Sequence, residues 1–242
     1  MAKSKKEISS FVAKYNGFKI HFYDEDKINA DIVIDSLINC KDFEKPDGYC
    51  DKNHLIIEHF QADAFDNGRK GSTFNIQIGR INREEENKIQ NAKNNVLINY
   101  EEESIYAIDA QPSLGNYLKN VKNQFEKHAK QIKSYRSNLF KKTGVNTEKF
   151  KVLFIIDSTN TSVYLDEKGL FCVLATDEFK SLWIKYPDVN YCLLGVNCNN
   201  CRHLFLLSKE SIESNNFPKA DEYRPMFQRP GILFSSFSIK KQ

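Results

Sequence analysis

The chain of 242 residues is poor in the residues that loosen a fold: it has 10 Gly and 6 Pro. No Pro- or Gly-rich linker and no internal repeat is visible, which argues against a repeat array or modules on flexible spacers. Long hydrophobic runs are missing as well. The longest, such as Val152–Ile156 and Gly169–Ala175, are strand-sized and far short of a bilayer span. No apolar segment follows the charged start Met1–Glu7, so no secretory signal is read there and a soluble, cytoplasmic protein without membrane partners is expected. There is no P-loop, no GxGxxG, no HExxH and no GxSxG, which removes motif support for kinases, dehydrogenases, zincins and α/β-hydrolases. Nor does one sign of charge dominate. Lys and Arg number 35 against 32 Asp and Glu, a net charge of +3, so a nucleic-acid partner has to show as a local patch.

What is present suits a globular core. Hydrophobic residues make up 40% and aromatics 12%, enough to fold without staples. Six cysteines in such a chain read as reduced thiols rather than a disulfide framework.

Read in order, Lys6–Tyr15 is a short helix, Phe18–Tyr23 a strand or loop, and Ile28–Ile38 a helix. Pro46-Asp47-Gly48 opens an extended segment, Asp51-Lys52-Asn53 forms a turn, and His54–Phe60 is a buried strand; together they predict a β-hairpin. Thr73–Ile81 alternates like a strand and Arg83–Val96 is helix-prone. Tyr106–Ala110 reads as a strand. Leu114–Lys142 is the strongest helix, with Ser113 as its N-cap and an apolar stripe through Leu114, Leu118, Val121, Phe125, His128, Ile132, Tyr135 and Leu139 at spacings of three and four. A histidine on such a stripe reads first as a core residue. Lys151–Asp157 is a buried strand, Val163–Ala175 a hairpin, Asp177–Tyr186 a helix, and Tyr191–Val196 with His203–Ser208 a strand pair. The order of elements predicts an α/β or α+β sheet domain.

Chemistry concentrates in the first hairpin. Asp47 and Glu58 stand on adjacent strands, and two converging carboxylates make a hard-oxygen site for Mg²⁺ or Mn²⁺. Such an ion can hold a phosphodiester oxygen and activate water. Glu58 lies within Leu55, Ile56, Ile57 and Phe60, where an unpartnered carboxylate is costly. The alternative is a turn Asp47 and a salt-bridged Glu58.

Pro46-Asp47 followed by Leu55-Ile56-Ile57-Glu58 resembles the PD-(D/E)xK nuclease superfamily, which includes restriction endonucleases, Holliday-junction resolvases and repair nucleases. The family pattern ends Glu-x-Lys, whereas the third position here is Phe60. The string Ile57-Glu58-His59-Phe60 resembles a variant in nuclease-like domains attached to helicases, with Gln61 where those have Gly. The resemblance covers Ile28–Asp157. It implies a restriction-endonuclease-like mixed sheet flanked by helices over about residues 28–157, with a β-rich extension over 158–242, in a single domain. It implies a metal-dependent endonuclease acting on DNA, in restriction, defence or repair. Asp47, Glu58 and the backbone carbonyl of His59 would hold Mg²⁺ or Mn²⁺. The missing lysine would be supplied by Lys122 first, then Lys127 or Lys119 on the long helix, or by Lys70 in the loop after the strand. Gln61 is a further candidate to hold the water, but alternation places it opposite Glu58.

The long helix carries Lys119, Lys122, Lys127, Lys130, Lys133, Arg136, Lys141 and Lys142 against Glu126 alone. Lys70, Lys119, Lys127, Lys130, Lys133 and Arg136 are therefore the expected nucleic-acid contacts, gripping phosphates without reading sequence. Nucleases that cut both strands often pair, so a homodimer is among the expectations. Cys198-x-x-Cys201 with His203 nearby is half of a structural Zn²⁺ site, and a plain turn with buried thiols is the stronger reading. A nuclease-like fold that only binds nucleic acid or a protein is the alternative to an enzyme, favoured by Phe60.

Overall fold

Leu55–Gln61 and Lys151–Ser162 carry apolar residues on both faces, and such two-sided strands belong in the middle of a mixed or parallel sheet. They form β4 and β8 of a computed structural model, paired in parallel from Leu55↔Lys151 to Gln61↔Asp157. The structure describes residues 6–15, 20–68, 71–95, 100–162, 174–198, 201–215 and 232–239.

Around this pair the elements run α1 (Glu7–Tyr15), β1 (Ile20–His21), α2 (Lys27–Ile38), β2 (Lys41–Asp42) and β3 (Gly48–Cys50), followed by β4. Next come β5 (Asn67–Gly68), β6 (Gly71–Ser72), α3 (Thr73–Asn95), β7 (Tyr100–Ala107), α4 (Leu114–Ala129) and α5 (Ile132–Thr143), followed by β8. The chain continues through α6 (Asp177–Lys185), β9 (Tyr191–Cys198), β10 (Cys201–Ser208), α7 (Lys209–Ser214) and β11 (Ile232–Ile239). The main sheet has seven strands in the order β1-β10-β9-β8-β4-β3-β2. Strands β2, β3 and β4 form an antiparallel meander, and β4, β8 and β9 are parallel. β10 returns antiparallel to β9, with β1 parallel to its outer side. The protein is thus a mixed α/β fold. Among the described residues no helix is long and apolar enough to cross a membrane.

Each face of the sheet has its own core. On one, Ile56, Phe60, Val152, Phe154 and Ile156 pack with α4, α5 and α6. On the other, Leu55, Ile57, Leu153 and Ile155 pack with Ile8, Phe11 and Tyr15 of α1 and with Ala30 and Val33 of α2. This alternation decides which functional side chains share a face. Tyr15 crosses the sheet over Gly195: a Cβ there would come within 2.6 Å of its hydroxyl oxygen. Gly195→Ala is therefore expected to cost about 1–3 kcal/mol by overpacking and to lower Tm by about 2–4 °C per kcal/mol. A thermal melt equal to wild type would contradict this close approach.

Several expectations are corrected. Thr73–Ile81 is helix, not strand: Phe74 and Ile78 pack with Ile81 against Phe65 and Ile108, while Ile76 is exposed. The stretch Leu114–Lys142 is two helices, α4 and α5, separated at Lys130-Gln131. Ser113 does cap α4, accepting from the Asn116 amide, and Gly144 ends α5 at φ 73, a left-handed cap. The strand at Tyr106–Ala110 lies earlier, as β7, and pairs antiparallel with β11. After residue 157 the chain adds β9 and β10 to the main sheet and also contributes α6, α7 and β11. The hairpin expected at Val163–Ala175 lies outside the described residues except for Leu174 and Ala175, which are turn and bend.

Candidate functional site

Gly48 pairs with Ile57 across the hairpin, so Asp47, one residue earlier, stands opposite Glu58. The Asp47 amide donates to Glu58 Oε2 at 3.3 Å, and the His59 amide donates to Asp47 Oδ2 at 2.8 Å. Each carboxylate thus accepts from a backbone amide of the opposite strand of the hairpin. Glu58 shares the face of Ile56 and Phe60 and is 5% exposed. Its other oxygen is clamped by the helices: Tyr135 of α5 donates to Oε1 at 2.7 Å, and His128 Nδ1 of α4 lies 2.7 Å from the same atom. Phe60 stacks on His128, centroids 4.8 Å apart and planes 8° from parallel. His128 is therefore no plain core residue, and the partners that a buried carboxylate demands are these two side chains.

Burial, and then the negative charge of Glu58, push the Asp47 carboxyl up to about 6. Burial and the same charge raise the Tyr135 phenol above its ordinary range, so it remains a donor. A folded-state value above the unfolded one means that the native chain holds this proton more tightly. Stability then falls as pH rises from the ordinary carboxyl value of 3.8 through about 6. Fully expressed, the shift corresponds to about 3 kcal/mol. Solvent screening of a partly open group reduces that to about 1–2 kcal/mol. In chelator at pH 7, Asp47→Asn is expected to raise Tm by several degrees, and the gain should vanish below about pH 4. A lower Tm at pH 7 would mean that the charge on Asp47 helps the fold.

Around the end of β4 lies a second cluster, on the opposite face. Asp157 of β8 accepts from Lys14 Nζ and from the Tyr15 hydroxyl, both at 2.8 Å. His59 Nε2 lies 3.8 Å from Asp157, and its Nδ1 lies 3.7 Å from Glu7. Burial raises the Asp157 carboxyl, but His59, Lys14 and Tyr15 together outweigh it and hold the group below its ordinary value. A cleft of about 760 Å³ opens between α1 and α4 over His59, Phe60 and Gln61. Asp47 and Glu58 do not themselves line it; His59 and His128, which bond to them, do.

The lysines expected from the sequence separate clearly. Lys127 lines the cleft. Lys122, the first candidate to complete the site, is exposed and absent from the cleft wall; at 3.6 residues per turn it lies roughly opposite Gln124 and His128 on α4. Lys119, Lys130 and Lys133 are exposed and stand outside the cleft wall. Arg136 is not free to grip phosphates: its guanidinium donates to the carbonyls of Thr147 and of Phe150, the latter at 2.8 Å, tying α5 to the loop before β8. Lys70 lies outside the described residues, and so do the side chains of Cys198 and Cys201, whose backbones pair across the β9–β10 turn. Gln61 stands with His59 on the opposite side of β4 from Glu58, in an uninterrupted register, and lines the cleft. Sequence reading missed Glu7, Lys14, Tyr135 and Asp157. Tyr135 lay in view seven residues after His128; nothing local points to the others.

The donor set that the sequence proposes for a divalent ion would be two carboxylates and one carbonyl. The amide and carbonyl of a strand residue point to the same edge, so the His59 carbonyl faces the side of Asp47. Among the described residues no group of three or more His, Cys, Asp or Glu side chains is arranged to hold a metal. Mg²⁺ is suited to one or two carboxylates, with water filling its other positions. Two like-charged carboxyls, one pushed up to about 6 by burial first and then by the other, fit a cation that would relieve their repulsion.

No protein-family model, curated protein or solved structure matches the chain.

Proposed function

We propose that this protein is a metal-dependent nuclease with a restriction-endonuclease-like core, hydrolysing DNA phosphodiester bonds at Asp47 and Glu58. The observation that carries the reading is that Asp47 and Glu58 stand opposite each other across the β3–β4 hairpin, each carboxylate bonded to a backbone amide of the other strand. The order of elements supports it: a helix, an antiparallel three-strand meander, and, after α3, β7, α4 and α5, a strand parallel to the meander's last strand.

Asp47, Glu58 and the His59 carbonyl would hold Mg²⁺ or Mn²⁺, which supplies Lewis acidity to a phosphodiester oxygen and lowers the pKa of a bound water. The protein's own groups prepare the site. Tyr135 and His128 lock the Glu58 carboxylate in one rotamer, and the His59 amide orients Asp47, the kind of support that keeps ligands in place. Phe60 occupies the position of the family lysine and packs against His128, so positive charge comes from elsewhere. Lys6 and Lys127 bring it to the adjoining cleft.

A non-hydrolytic nucleic-acid-binding module is the second reading, favoured by Phe60 and by the double engagement of Glu58 Oε1. Plasmid and single-stranded DNA incubated with Mg²⁺ or Mn²⁺, with and without chelator, distinguish the two. The enzyme reading expects cleavage that chelator abolishes. DNA binding without cleavage under every metal condition would leave the binding module.

A further inference from the structure

The cleft between α1 and α4 has a pattern that the carboxylate pair does not explain. Lys6, Ser10 and Lys14 follow one another at intervals of four along α1 and the residue before it, and all three line the same wall. At 1.5 Å per residue this stripe is about 12 Å long. Lys127 stands on the facing wall with Gln124. Lys14 is neutralised by Asp157 at 2.8 Å. Lys6 and Lys127 are exposed and form no ion pair with described residues. The cleft therefore offers two exposed cations on opposite walls; its two carboxylates are Asp157, which is bound to Lys14, and Glu7, which lies 3.7 Å from His59. It runs past His59 and His128, the residues bonded to Asp47 and Glu58.

We infer that this cleft, rather than the outer basic face of α4 and α5, seats the sugar–phosphate backbone, and that the chain it takes is a single strand. This rests on the nuclease reading above. A volume of about 760 Å³ is that of a small-ligand cleft, room for a short stretch of one strand between two walls. A duplex, whose major groove alone is about 12 Å wide, is a far larger object than that volume holds. Lys6 and Lys127 contact phosphates from either side, while Ser10, Gln61 and Gln124 present hydrogen-bonding groups to sugars and base edges.

The test is equilibrium binding in chelator, so that cleavage plays no part. Labelled oligothymidine and a duplex of equal length are titrated with wild type, Lys6→Glu/Lys127→Glu and Lys130→Glu/Lys133→Glu. The inference expects single-strand affinity at least about tenfold above duplex affinity. It expects the cleft variant to bind the single strand at least about tenfold more weakly, with a salt slope shallower by about 1.4, near 0.7 per lost cation, while the outer-face variant binds like wild type. All four lysines are exposed, and circular dichroism confirms that each variant is folded. Equal or tighter duplex binding overturns the inference, and so does loss confined to the outer-face variant. In both cases metal-dependent cleavage would still support the nuclease. Absence of any binding overturns the inference, and if cleavage is also absent the nuclease reading falls with it.

Discussion

Glu58→Ala is expected to lower metal-dependent cleavage on the order of 10³-fold or more, comparable to removing an aimed charge-stabilising group from an active site. Its effect on stability should be small by comparison, because two consequences oppose each other. Tyr135 and His128 lose a shared acceptor, which costs about 1–3 kcal/mol. Asp47 loses the like charge that helps hold it up at about 6, which restores part of that loss. The Asp47 carboxyl should accordingly titrate closer to its ordinary value in Glu58→Ala, measurable by carboxyl NMR. A folded variant that cleaves at the wild-type rate would remove Glu58 from the chemistry. An unchanged Asp47 titration would show that the two groups do not interact.

Phe125→Ala carries the largest expected effect on stability. Phe125 is fully buried and lies edge-on to Phe154 of the sheet and to Phe179 and Trp183 of α6, with centroids 5.2, 5.2 and 6.5 Å away. It thereby fastens α4 to β8 and to α6. Truncation of a buried Phe costs about 3–5 kcal/mol, a Tm decrease of roughly 6–20 °C in a chain of this size. His128 is one turn further along α4, so metal affinity should weaken in the variant even at temperatures where it remains folded. A decrease of a degree or two would mean that the site collapses around the lost ring and that the aromatic cluster is not a rigid brace.

The hairpin was legible because its signals are local: a turn cluster at Asp51-Lys52-Asn53 and an apolar run bearing one carboxylate. The eleven-residue separation of Asp47 and Glu58 is short enough for pattern alone to place them opposite each other. Alternation also placed Gln61 away from Glu58, as the uninterrupted β4–β8 register requires. Thr73–Ile81 misled because Phe74, Ile76 and Ile78 alternate. The packed set is Phe74, Ile78 and Ile81, a helical spacing, and Ile76 is left exposed. The division at Lys130-Gln131 had no Pro or Gly to announce it, since the apolar stripe continues through both helices. The Lys14–Asp157 pair joins residues 143 positions apart, and no periodicity reports on such a contact. The one-sided charge of Leu114–Lys142 drew attention to the outer face of α4 and α5. The structure instead binds Arg136 to backbone carbonyls and sets Lys127 in the cleft.

The most direct test of the account is whether the hairpin holds a divalent ion. Mn²⁺ binding followed by electron paramagnetic resonance, with Mg²⁺ as competitor, reads this without any substrate. Wild type is expected to bind Mn²⁺ in a way that Mg²⁺ displaces, and affinity should fall as pH drops below about 6, where Asp47 takes up its proton. The Asp47→Asn/Glu58→Gln variant is expected to lose this binding. Equal Mn²⁺ binding by wild type and the double variant, or none by either, would contradict a metal site on Asp47 and Glu58.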